Sequence, residues 1–396
     1  MNRNLFAEIG IDPKKIEKRL EEIFQNMFYG PENERIYFPV GDDMAYMMDT
    51  GNIDARTEGM SYGMMMCVQL DKKEEFDRLW KWSMTYMYMD YGWNKGYFAW
   101  SCKPDGTKNA QGAAPDGEEY FAAALFLAER RWGNGEGIFN YGQWGRKILS
   151  DCLHKGEPGR EGAPMWDPEN KMILFVVSCG YTDPSYHLPH FYELFAECAN
   201  EEDRPFWKEA ARVSREYLQK ACHPVTGMSA EYANFDGTPK ILDCNGKKNH
   251  GGRHDWFFSD AYRTIANISL DAEWFGGRYG EAVDENDGQM KYFPRRTAEH
   301  MQKFFCETRN GERGIYLIDG TLVEPQAKHY LAITATLAQS ALASGLEAPF
   351  ARRCVQEFWE APLRSDKYRY YDNCLYMFAF LALSGHYKLN WEAQND

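Results

Sequence analysis

Three short stretches of this 396-residue chain gather acids in a way that suits proton transfer. In DARTEGMSYGMM, residues 54–65, Glu58 stands at the mouth of an apolar segment. A half-buried carboxyl is pushed above its ordinary pKa, which a general acid needs near neutral pH. A buried Glu58 paired with Arg56 is the structural alternative. Gly59 and Gly63 leave a bare strip on one helix face, where a ligand ring or another helix could come close. In PDGEEYFAAA, residues 115–124, Asp116 falls at a helix start, with Glu118 and Glu119 as surface charges or supporting groups. In FFSDAYR, residues 257–263, Asp260 precedes Arg263 by three positions, so both can lie on one helix face. The cation would hold Asp260 ionised, as a general base must be, although a structural salt bridge fits the same spacing.

Other chemistries find less support. Gly59-Met60-Ser61-Tyr62-Gly63 fits G-x-S-x-G, but a nucleophile elbow needs a hydrophobic strand before it, and GNIDARTE is polar. A serine hydrolase using Ser61 therefore stands only as a distant alternative. His187-Leu-Pro-His190 has a proline between its histidines, and no HExxH or Cys/His cluster occurs. GNGEGIF at 133–139 has the wrong spacing for a dinucleotide loop. Neither a metal nor a cofactor is expected.

The elements that must position these acids are helical. Apolar residues recur at helical spacing over about 13–29, 58–70, 73–90, 115–132, 140–153, 184–198, 204–222, 258–274, 295–307, 328–344, 347–359 and 372–386. Strand-like material is confined to pieces such as Met172–Val177 and Ile315–Ile318. Helices with one charged face alternate with helices that are apolar or small nearly all round, and a helix with little polar surface is a buried one. Six of each kind in alternation predict an all-α fold, an (α/α)6 barrel of six inner and six outer helices, as one domain over 1–396. The inner helices would open their N-terminal ends on one face, collecting Arg56, Tyr62, Glu118, Glu119, Tyr186, His187, Tyr262 and Arg263 on its rim. Helix capping explains any one of these polar starts equally well.

Composition narrows the ligand. With 45 Lys+Arg against 59 Asp+Glu the net charge is −14, which disfavours nucleic acid and anionic membrane surfaces as partners. Aromatic residues make up 15 % of the chain and suit flat, neutral, hydroxyl-rich ligands such as sugars. The start, MNRNLFAEIGIDPKKIEKRLEEIF, lacks an apolar signal core, and the ten cysteines are scattered without a CxxC. Reduced, buried thiols and a cytoplasmic location are expected.

The segments TEGMSYGM, APDGEEYF and SDAYR, in this order and at these separations, resemble glycoside hydrolase family 8, over about residues 30–385. Within it they are most similar to exo-acting members that release xylose from the reducing end. The resemblance implies an (α/α)6 barrel, inversion at the anomeric carbon and xylo-oligosaccharides as substrate. It implies Glu58 as general acid, Asp260 as general base, and Asp116 as a third acid that binds and distorts the sugar beside the scissile bond. Tyr186 and Arg263 match positions that orient the base and its water. Trp100, in GYFAWSCKPDG, resembles an aromatic sugar platform, and Arg56 falls on the same substrate-binding rim. His329, in EPQAKHYLA, falls where exo-acting members place a loop histidine near the reducing end. Many endo-acting members carry Ser-Glu-Gly-x-Gly-Tyr-Gly at the acid and a Tyr before the base, where Thr57, Ser61 and Ser259 stand here. An endo-acting β-1,4-xylanase or glucanase and a non-catalytic sugar-binding toroid are the remaining alternatives.

Overall fold

Two kinds of helix follow from two kinds of sequence. Asp12 accepts a bond from the Lys14 N–H and Pro13 occupies the first turn, so PKKIEKRLEEIFQNMFY starts cleanly as a helix. It buries Ile16, Leu20, Ile23, Phe24, Met27 and Phe28 and leaves its charged face in water. By contrast, TEGMSYGMMMCVQ has no polar face to offer, and Glu58 is its one residue that is not fully buried. The computed structural model describes residues 3–242, 253–276, 278–284, 288 and 290–390.

In chain order the helices are α1 (Leu5–Glu8), α2 (Pro13–Tyr29), α3 (Thr57–Gln69), α4 (Lys73–Trp82), α5 (Pro115–Trp132), α6 (Tyr141–His154) and α7 (Pro189–Cys198). They continue with α8 (Arg204–Ala221), α9 (Tyr262–Phe275), α10 (Phe293–Lys303), α11 (Tyr330–Gln339), α12 (Ala341–Ser344), α13 (Ala351–Glu360) and α14 (Arg369–Leu383). The inner ring runs α3, α5, α7, α9, α11, α14, each packed on the next, with α14 returning to α3. Outer helices α2, α4, α6, α8, α10 and α13 alternate with them along the chain. The fold is the (α/α)6 barrel expected from the alternation. Every residue of α14 is buried.

Several expected helices are interrupted for local reasons. The segment 184–198 splits into a 3-10 turn, Pro184–Tyr186, and α7, because Pro189 disfavours a helical residue before it. The expected 73–90 and 295–307 helices end in π-turns at Ser83–Met87 and Phe304–Thr308. In the first of these the Ser83 and Thr85 hydroxyls donate back to the Leu79 and Lys81 carbonyls and loosen the ladder. Ile315–Leu317 is a strand, whereas Met172–Val177 contributes only the isolated bridge of Ile173 to Trp166. Two small sheets matter for function. Ala55–Arg56 pairs with Ser101–Cys102, and Trp256–Phe257 pairs with Ile315–Leu317, each just before or beside an inner-helix start.

Among the described residues the nine cysteines are free, and Cys244 lies outside them. No helix among them is long and apolar enough to cross a membrane.

The two rings are stitched by charge as well as by apolar contact. Arg215 of outer α8 donates Nε and Nη2 to Asp271 of α9, at 2.9 and 2.7 Å, and Nη1 to Glu193 of α7 at 2.7 Å. The Arg215 side chain is 5 % exposed and that of Asp271 is fully covered. Removing one partner of such a pair strands a buried charge, which costs about 3–5 kcal/mol. Arg215→Met is therefore expected to lower the urea midpoint sharply, and Arg215→Met combined with Asp271→Leu to recover much of the loss. Equal midpoints for wild type and Arg215→Met would contradict this role.

Candidate active site

The site is assembled from inner-helix beginnings. Glu58 and Asp116 are the second residues of α3 and α5, Arg263 is the second residue of α9, and Asp260 sits in the 3-10 turn Ser259–Ala261 just before it. Ser259 holds φ at 43°, a left-handed conformation that non-glycine residues seldom take, and the Tyr371 hydroxyl fixes this turn by donating to the Ser259 carbonyl at 2.8 Å. The turn that Ser259 opens carries Asp260.

One guanidinium ties the acids together. Arg263 Nη1 donates to Glu58 Oε2 at 3.0 Å and to the Tyr62 hydroxyl at 2.7 Å, and lies 3.4 Å from Asp116 Oδ2. Nη2 stands 3.1 Å from Asp260 Oδ1, close enough for an ion pair but off the line of a good hydrogen bond. Three carboxylates from three elements thus face one cation. Glu58 also accepts from the Tyr370 hydroxyl at 2.9 Å.

Burial dominates the protonation of these groups. It raises the Glu58 carboxyl above its ordinary value; Arg263 opposes the rise and the neighbouring Asp260 adds to it. Burial pushes Asp116 up to about 7 against the pull of Arg263.

These groups open into a cavity of about 910 Å³, within the range of small-ligand pockets. Trp100, Phe175, Tyr186, Tyr232, Tyr368, Tyr370 and Tyr371 give it aromatic walls. Arg56 and His329 also line it, so all eight sequence-derived site residues except Arg263 border the space, and Arg263 lies beneath them. The Arg263 guanidinium carbon is 5.6 Å from the Tyr186 ring centre.

The family model described as glycosyl hydrolases family 8 matches residues 45–385, a span that begins before Glu58 and ends after Tyr371. The chain belongs to glycosyl hydrolase family 8. The reducing end xylose-releasing exo-oligoxylanase of Halalkalibacterium halodurans is 52 % identical over 388 residues, covering 98 % of this chain and 94 % of that one. A protein of the same description from Bifidobacterium adolescentis is 48 % identical over 393 residues, covering 98 % and 97 %. The solved structure of Rex8A from Paenibacillus barcinonensis complexed with xylose superposes with a TM-score of 0.90 at 50 % identity, covering 99 % of this chain and 98 % of that one.

The family 8 site departs from the sequence expectations at several points. Glu58 does not pair with Arg56, which is held instead by Asp49 and Asp54. Of the two readings of the strip left by Gly59 and Gly63, close approach of another helix is the one found: a Cβ on Gly59 would meet the Tyr370 ring of α14 at 2.5–2.9 Å, and one on Gly63 would meet Leu79 of α4 and Met47. Glu118 and Glu119 are not on the rim but fully buried behind Asp116, where Glu118 accepts the Phe98 N–H at 2.9 Å and Glu119 the Tyr192 hydroxyl at 3.2 Å. His187 is likewise interior, between Thr182 and Ser214, and Tyr262 is buried. Ser61 is buried in α3 and turns its hydroxyl to the Glu58 carbonyl, which removes it as a nucleophile. Among the described residues no group of His, Cys, Asp or Glu is arranged to hold a metal ion.

Sequence reasoning missed Tyr370 and Tyr371, although an aromatic pair directly before Asp372 at an inner-helix start was a usable signal. It also missed Glu231 and His254, which line the cavity and bond to each other on irregular chain with no periodicity to flag them.

Arg263 gives the site a definite pH signature. A buried acid whose folded pKa is raised contributes a stability penalty that grows as pH rises from its unfolded value, about 4, to its folded value, which is about 7 for Asp116. Arg263→Met should raise these pKa values further, so its loss of Tm relative to wild type should be larger at pH 8 than at pH 5. A deficit independent of pH would show that the guanidinium does not carry this charge balance.

Proposed function

We propose that this chain is an inverting exo-acting glycoside hydrolase that releases xylose from the reducing end of short β-1,4-xylo-oligosaccharides. The observation that carries the chemistry is the placement of Glu58 and Asp260 on opposite members of a six-helix ring, α3 and α9, with both carboxylates facing Arg263 from within one aromatic-walled cavity. An inverting hydrolase needs an acid on one side of the glycosidic oxygen and a base on the other, about 6.5–9.5 Å apart, so that water fits between them. Carboxylates that approach one guanidinium from opposed helix mouths support this reading.

Glu58, whose carboxyl burial raises above its ordinary value, gives its proton to the leaving oxygen. Asp260, 3.1 Å from Arg263 Nη2, takes a proton from the water that attacks the anomeric carbon from the opposite face. The bond breaks in one displacement, without a covalent intermediate. Asp116 reaches the sugar next to the scissile bond, and Tyr186, over Arg263, orients Asp260 and its water. Trp100 stacks a sugar ring, with Arg56 beside it on the same rim.

The exo-acting part of the proposal draws on the relatives named above and on His329. Its imidazole is 11 % exposed, edged by the rings of Tyr371 and Tyr368 at 5.1 and 6.0 Å. Nδ1 stands 3.7 Å from Asp372 Oδ1, within ion-pair range of a charged imidazole but beyond hydrogen-bond reach, and makes no hydrogen bond. His329 precedes α11 but does not cap it with its side chain. A polar group so placed can bond the anomeric hydroxyl of a terminal xylose, and a site built for a hydroxyl discriminates against an analogue that lacks the right one. The free cysteines fit a reducing compartment, and we place the enzyme in the cytoplasm.

Glu58→Gln and Asp260→Asn are expected to lower kcat on xylotriose by about 10²–10⁴-fold while circular dichroism stays unchanged. A wild-type rate in either variant would remove that residue from its role.

Xylotriose itself should yield xylose and xylobiose, with the α-anomer first in the proton NMR spectrum of the fresh product. Its borohydride-reduced alditol should resist cleavage at the alditol end. Rapid cutting of both substrates, or random internal cutting of xylan, would favour an endo-acting enzyme instead.

A further inference from the structure

Arg56 lines the cavity, yet its charge is already engaged. Nε lies 3.1 Å from Asp54 Oδ1 and Nη2 3.2 Å from Asp49 Oδ2, while the guanidinium carbon lies 5.3 Å from the Trp100 ring centre. Both carboxylates are themselves anchored. Asp49 accepts the Gly51 N–H at 2.8 Å and the Asn52 side-chain amide at 2.7 Å. Asp54 accepts the Ser101 hydroxyl at 2.7 Å, and that hydroxyl accepts from the Asn109 amide at 3.0 Å. The backbone adds a further tie: Arg56 is paired with Ser101, and the Thr57 N–H donates to the Trp100 carbonyl at 3.0 Å. Arg56 is thus fixed by its neighbours on one side and lies over an indole on the other.

That indole is 37 % exposed, which leaves a large side chain at the cavity mouth with one ring face covered by a cation. We propose that Arg56 is a positioning residue that fixes the tilt of the Trp100 ring, so that its uncovered face is presented to a sugar already in the stacking orientation. The inference rests on Trp100 being a sugar platform, as given under the proposed function, and it reassigns Arg56 from contacting the sugar to holding what contacts it. An unheld surface indole would have to be ordered on binding, and ordering one side chain weakens binding by roughly two- to tenfold. A cation over one face draws π density towards itself, so Arg56 acts through orientation and not by strengthening the opposite face. Lysine keeps the charge near Asp49, Asp54 and Glu58 but loses the planar group that covers a ring.

A double-mutant cycle on xylotriose hydrolysis tests this with Arg56→Lys, Trp100→Ala and the combination. Arg56→Lys should raise KM about three- to tenfold with a smaller change in kcat and an unmoved pH profile, because the charge beside Glu58 is kept. Trp100→Ala should raise KM at least as much, and the combined variant should match Trp100→Ala alone. Arg56→Gln, which keeps a planar amide, provides a second measurement if the lysine variant loses stability, and should give an intermediate KM. Multiplying KM effects in the combined variant would overturn the proposal, as would a wild-type KM for Arg56→Lys. A Trp100→Ala variant with wild-type KM would overturn both the platform and its positioning. If wild type failed to release xylose from xylotriose, the proposed substrate would fall, and that result is separate from any outcome of the cycle.

Discussion

The site depends on one cation in a place that would otherwise be uninhabitable. Glu58, Asp116 and Asp260 converge from three helix mouths into a partly dry space, where mutual repulsion and desolvation both oppose ionisation. Arg263, itself 4 % exposed, faces all three and the Tyr62 hydroxyl as well. It does not neutralise them equally. Burial outweighs it at Glu58 and at Asp116, so these carboxyls hold protons more readily than ordinary ones. A single guanidinium of fixed charge thus faces carboxyls whose surroundings hold protons unequally, the asymmetry on which the proposed roles of donor and acceptor rest.

The barrel is what makes such convergence possible. The inner helices α3, α5 and α14 bury nearly their whole surface and the others most of theirs, so an inner-helix start is the natural place for a polar residue, and these starts meet on one face. Acids at those starts gain from the helix dipole, which partly offsets their desolvation. Close packing between starts is tightest where glycine allows it. A Cβ on Gly117 would stand 2.5 Å from Thr57, so α3 and α5 approach there as they could not with any larger residue.

The alternation of apolar and amphipathic segments made the double ring legible in the sequence, because burial of a helix is written in its composition. Glu58, Asp116 and Asp260 were legible for a related reason: charge at the mouth of an apolar helix is conspicuous. What could not be read was pairing. Arg56 stood two residues from Glu58, but the turn of Asp49 to Asp54 folds back to take it, and Arg263 arrives from across the ring. Glu118 and Glu119 look like solvent charges beside Asp116, yet α5 is buried all round, so successive residues point into the core in different directions. Tyr370 belongs to a segment more than 300 residues from the acid it bonds, and no local pattern could connect them.

That last contact ties two distant positions to a common fate. The Tyr370 ring occupies the space a methyl group on residue 59 would need, and its hydroxyl ends on Glu58. A side chain at 59 could be accommodated only by shrinking or swinging residue 370, and either change would take the phenol off the acid. Across descendants of this sequence the two sites should therefore drift together or not at all. An exchange at one of them marks a lineage in which the Glu58 carboxyl has found another neighbour.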